Sequence, residues 1–128
     1  MSTFRHNYDI TLDGVAVVSN QESVSGDSVL KVGPATAAAE STTEFEFNVD
    51  EDALTVLFLH SSVDASVKTN SASVPQETIS LVANVPLIWT SDSASAKPLS
   101  DDVTALHVVI AGTTAASFTA IAITDPTA

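Results

Sequence analysis

The chain has 128 residues, the length of one domain, and a domain of that size buries roughly two-thirds of the surface its unfolded form exposes, so a core needs no covalent staple. Cysteine is absent, which excludes a disulfide framework and a thiolate metal site. Sixteen acidic residues against four basic ones give a formal charge of -12, which repels nucleic-acid phosphates and anionic membrane surfaces alike, so neither is an expected partner.

Phe4, His6, Tyr8, Ile10 and Leu12 fall on alternate residues, the period of a strand. Asp13-Gly14 and then VAVV follow, which predicts a hairpin. The same opening stretch holds Arg5 but no apolar segment of signal-peptide type, and no run reaches the length of a membrane span, so synthesis and assembly in the cytoplasm are expected. Residues 28–32 (SVLKV) predict a short strand ended by Gly33-Pro34, and the alanine-rich ATAAAE after it predicts one helical turn or a loop.

TEFEFNV alternates cleanly, with Phe45, Phe47 and Val49 on one face and Glu44, Glu46 and Asn48 on the other, a half-buried strand. LTVLFLH (54–60) is apolar on both faces, as a strand between two layers would be. Asp50, Glu51 and Asp52 before it also resemble a helix start, but Val56 and the downstream Val63 and Val67 favour the strand. VDASVK, ETISLVA, PLIWT and two long final strands meeting across Gly112 bring the total to eight to ten, with Pro34, Pro75, Pro86 and Pro98 between elements. No long helical pattern separates them. The expected fold is an all-β, antiparallel β-sandwich or jelly-roll-like single domain over residues 1–128.

Candidate chemistry is sparse. His6, His60 and His107 lack local metal-ligand spacing and read as hydrogen-bonded or interface residues. Ser28-Val29-Leu30-Lys31 matches S-x-x-K, but without the companion motifs that position a water and an oxyanion the match carries no chemistry. Asp50, Glu51, Asp52, Asp101 and Asp102 are carboxylates of the kind calcium takes, without EF-hand spacing, and read as solvated loop charge. Trp89 and Tyr8 are the candidate platforms for a sugar; each reads rather as a core or interface anchor whose polar tip finds a partner. No cofactor and no metal are expected.

In NVPLIWTSDS and PLSDDVTALHVVIAGTTAASFTAIAI, an apolar-aromatic strand ends in Trp89, Thr90, Ser91 and Asp92. A strand with Asp102, Val103, Leu106 and Val108 follows, then a final strand with Ala120, Ile121, Ala122 and Ile123. This pattern, over about a third of the chain, resembles the small all-β virion proteins of tailed bacteriophages, with Gly112-Thr113-Thr114 replacing the usual turn asparagine. The resemblance implies a non-enzymatic structural protein located in the virion, a capsid decoration (cement) protein that binds and stabilises the major capsid protein shell, often as a homo-oligomeric trimer. Its alternative is a tail- or fibre-associated or surface binding module recognising glycans or a protein receptor. Contacts are expected from an N-terminal arm (1–8) and a C-terminal tail (124–128), with Phe4, His6, Tyr8, Trp89 and Asp125 as the interaction residues.

Overall fold

The computed structural model describes residues 2–26, 28–93 and 95–125. They form ten strands: β1 (Ser2–Leu12), β2 (Val15–Gly26), β3 (Ser28–Ala37), β4 (Ser41–Val49), β5 (Leu54–Ser61), β6 (Ala65–Thr69), β7 (Thr78–Leu81), β8 (Leu87–Thr90), β9 (Val103–Ile110) and β10 (Ala116–Thr124). The one helical element among the described residues is a single 3-10 turn, Glu51–Ala53. β1 and β2 pair only with each other; the other eight make two four-stranded antiparallel sheets, ordered β3-β10-β5-β8 and β4-β9-β6-β7. Counted from β3, the first strand pairs with the last, the second with the seventh, the third with the sixth and the fourth with the fifth. That nesting defines a jelly roll.

The two sheets close on one core because their inner rows are apolar at every second residue. Phe45, Phe47 and Val49 of β4, with Leu106, Val108 and Ile110 of β9 beside them in the same sheet, face Leu57 and Leu59 of β5 and Phe118 of β10. Alanines at 116, 120 and 122 make the inner row of β10 thin, which leaves room for Phe118 to stack on Phe45 at 5.5 Å between ring centroids. Large residues facing small ones let the layers interlock at the density of a protein interior.

Two local expectations are corrected. β3 does not stop at Gly33-Pro34 but runs on to Ala37. Val32 pairs with Ala120 and Ala35 with Phe118, so Gly33 and Pro34 together oppose Thr119 in a bulge. β3 is an edge strand, where proline's missing N–H leaves no ladder bond unmade. The segment ATAAAE likewise forms no helical turn: residues 35–37 pair with β10, which satisfies backbone groups that an isolated turn of helix would satisfy poorly. Before β5 both readings meet, since Asp50 caps the 3-10 turn by accepting from Asp52 N at 3.1 Å, and Leu54 then opens the strand.

Where β6 gives way to the loop before β7, Asn70 (φ 68°) ties two strands of one sheet together. Its Nδ2 donates to Gln76 Oε1 (2.7 Å) and Asp102 O (2.9 Å), while its Oδ1 accepts from Thr104 N at 2.7 Å. Asn70→Ala removes these bonds, together with one from Thr104 Oγ1 to Oδ1 at 3.2 Å, and places a residue without Asn's tolerance of positive φ in the turn. We expect a loss of about 2–3 kcal/mol, read as a lower urea midpoint with an unchanged slope, and a smaller loss for Asn70→Asp, which keeps the acceptor.

Candidate functional site

The most distinctive surface is the β1–β2 hairpin. Asp13 (φ 52°) and Gly14 (φ 80°) take the two left-handed positions of its turn, the geometry that Asp-Gly supplies at least cost. Residues 2–8 of the arm expected over 1–8 belong to β1, the first strand of a two-stranded arm spanning 2–26, and residue 1 lies outside the described residues. At its base Val24 is buried with Val56 and Ile123, and Phe4 lies 6.2 Å from Phe58 between ring centroids, on the outer face of the β3-β10-β5-β8 sheet. Gly26 makes this approach close: a Cβ there would stand 2.4 Å from Ile123 Cγ2 and 2.8 Å from Thr124 O.

Beyond this base the arm leaves the sandwich. The row that begins at Phe4 and Val24 continues through the register positions of His6, opposite Glu22, and Tyr8, opposite Asn20, to Ile10, opposite Val18, and Leu12, opposite Val15. Ile10 is 53%, Leu12 68% and Val15 69% exposed. The other row is polar, with Arg5 opposite Ser23, Asn7 opposite Gln21 and Asp9 opposite Ser19. One row therefore starts inside the molecule and ends bare in water.

The outer faces of the two sheets differ in kind. On β4-β9-β6-β7 the outward register positions include Thr42, Glu44, Glu46, His107, Ser66 and Lys68, a face for water. On β3-β10-β5-β8 they include Val29, Ile121, Ile123, Phe58 and Ile88, an apolar face of which the hairpin base covers one end. Val29 remains 47% exposed.

Of the residues expected to make contacts, Phe4 is taken up by the chain's own sheet. His6 and Tyr8 hold register positions in β1 opposite Glu22 and Asn20, but their side chains lie outside the described residues. Trp89 is half-buried on the core side of β8, its Nε1 donating to Ser95 O at 3.2 Å and its ring 5.9 Å from Lys97 Nζ. A shallow hollow of about 220 Å³ lies beside it, lined by Leu87, Ile88, Ser95, Ala96 and Pro98. Asp125 continues the β10 end, its N–H donating to Ala53 O at 2.8 Å; residues 126–128 of the expected tail lie outside the described residues.

His60 stacks on Phe58 on the outer face of one sheet, and His107 sits on the outer face of the other between Glu44 and Lys68, so the sandwich separates them. Ser28 and Lys31 of the S-x-x-K match are three apart on an extended strand and point to opposite faces. The fold does bring the two acidic clusters together. Asp102 Oδ1 accepts from Glu51 N at 2.9 Å, and the Lys97 ammonium pairs with the Glu51 carboxylate while donating to Glu51 O at 3.0 Å. Among the described residues no cluster of His, Asp and Glu is arranged to hold a metal.

The hydrogen bond from Lys97 holds the Glu51 carboxyl below the usual carboxylate range, whereas the hydrogen bond shared with Glu51 pushes Asp52 up. Glu51, the lowered group, contributes stability that is present above its unfolded pKa of about 4.3 and is lost as pH falls through its folded value. Asp52, the raised group, has the opposite sign and favours the folded state at low pH. Lys97→Met keeps an unbranched side chain and removes the ammonium, with its ion pair to the Glu51 carboxylate and its hydrogen bond to Glu51 O. Its melting midpoint should lie a few degrees below wild type at neutral pH, and the gap should narrow as pH drops below about 4, to the part that the bond to the Glu51 backbone carbonyl contributes. Melting curves across that range check it.

No protein-family model, no curated protein and no solved structure matches the chain. Fold and surface together define its class: a jelly-roll β-sandwich from which a two-stranded arm projects. Among the described residues, its exposed large apolar side chains are Ile10, Leu12 and Val15 on that arm, Val29 on the sheet face beneath it, and Val74, Val82 and Val85 in the connections on either side of β7.

Proposed function

We propose that the chain is a non-enzymatic virion structural protein, a capsid decoration (cement) protein that binds and stabilises a shell of major capsid protein. The observation that carries the reading is the arm: a jelly roll extends an amphipathic hairpin whose apolar row is bare over Ile10, Leu12 and Val15. Such a row is a surface for assembly, since exposed apolar strands are otherwise a liability that proteins blunt. Jelly rolls recur in capsid proteins and also in lectins, so the fold supports the reading by analogy alone. The phage-like pattern at Trp89–Asp92 and Asp102–Ile123 adds the virion, and the formal charge of -12 keeps the molecule off packaged nucleic acid.

The test is particle composition. The chain should co-purify with virions at a fixed ratio to the capsid protein, and shells lacking it should open at a lower temperature; a chain found only free in the lysate overturns the reading. The hollow beside Trp89 favours a second reading, a module that binds glycans or a receptor. A glycan panel that raises the melting midpoint of the isolated protein would replace the first reading with the second.

A further inference from the structure

We propose that the arm is a device for self-association: its bare outer half packs on the outer face of the β3-β10-β5-β8 sheet of a second copy of this chain. The same row of side chains already chooses this face within one molecule, where Phe4 and Val24 rest against Val56, Phe58, Ile121 and Ile123. Ile10, Leu12 and Val15 continue that row and find nothing to cover them. A two-stranded ribbon without a packed face is marginal in water. Val29 and Ile88 hold outward positions on the two edge strands of that sheet, on either side of the residues the hairpin base covers.

Charge selects the same pairing. In a chain of net charge -12, the outermost rungs of the arm with their turn, residues 10–18, carry one formal charge, Asp13 at the tip. Among the described residues, the outward positions of β3, β10, β5 and β8 also carry one formal charge, Lys31, which is exposed and of opposite sign. Two patches of an acidic protein that are otherwise neutral, with one complementary pair between them, meet without the repulsion that other faces would impose.

Reciprocal exchange, in which each copy gives one arm and receives one, satisfies both surfaces in a closed symmetric set.

Sedimentation of the full chain tests this directly. Wild type should be oligomeric at micromolar concentration, and Leu12→Glu with Val15→Glu should sediment as a monomer with an unchanged far-ultraviolet spectrum, since both side chains are exposed in the single chain. With no native cysteine, Leu12→Cys and Ile88→Cys variants mixed in equal amounts and oxidised should give a 12–88 disulfide between copies. A monomeric wild type, a double-glutamate variant of unchanged mass, or cross-linking only between two copies of position 12 overturns the proposal.

Discussion

Phe118→Ala is expected to destabilise the protein by about 3–5 kcal/mol, a large fraction of the roughly 5–15 kcal/mol that holds a domain folded. Phe118 is fully buried on β10, a strand flanked by β3 on one side and β5 on the other, so no edge can move in to fill the gap. Its ring stacks on Phe45 from the opposite sheet, and its immediate neighbours along the inner row of β10 are alanines, too small to spread into the space. The cost is the lost transfer of the ring from water plus the cavity left behind, because a close-packed interior relaxes only in part. Phe118→Leu, which refills part of the volume, should lose about half as much. Urea denaturation reads both, with the slope unchanged if the native and unfolded states keep their compactness. A loss below about 1 kcal/mol for the alanine variant would mean that the two sheets are not closed on this residue.

Gly33→Ala is expected to be nearly as damaging, at about 3 kcal/mol or more, although it adds a single methyl group. Gly33 has φ +90°, a region that side chains with a Cβ rarely enter, and it faces Thr119 in the bulge of β3. A Cβ there would stand 2.2 Å from Phe118 O and 2.9 Å from Ala35 N, both backbone atoms held by the ladder. Relief therefore requires β3 to peel from β10 rather than a side chain to turn aside. Gly112→Ala is the control. A Cβ at Gly112 meets nothing within 4 Å, so that variant should change stability by no more than about 0.5 kcal/mol. Hydrogen exchange should show the difference as well: lost protection in Gly33→Ala should concentrate at the β3–β10 pairing, while the β4-β9-β6-β7 sheet stays protected.

Much of the strand inventory was legible because alternation is a local property. Phe45, Phe47 and Val49 against Glu44, Glu46 and Asn48 announce both the strand β4 and which face it buries. Asp13-Gly14 announces its turn because few other pairs accept two left-handed residues in succession. The extension of β3 past Gly33-Pro34 was not legible, since proline stops a central strand but not an edge strand, and only the sheet order says which kind β3 is. The meeting of Asp102 with Glu51 was hidden for a similar reason: the two residues lie 51 apart in the chain, and no local pattern encodes their contact.

The candidate site divides along the same line. Phe4, Ile10 and Leu12 were visible as one apolar row of one strand, and the sequence by itself determined that row, its turn and its polar reverse side. The same alternation also determined that the chain is all-β and that its core draws on inward-facing apolar rows. What the tertiary structure decided is where the rows go. Nesting of first strand with last, second with seventh and third with sixth makes the jelly roll, and it leaves one sheet with a polar outer face and the other with an apolar one. Gly26 then admits the hairpin close against Ile123, so that Phe4 is covered while Leu12 is not. The physical reason is that period and turn chemistry act between residues a few positions apart, whereas burial depends on which distant surfaces come to face one another.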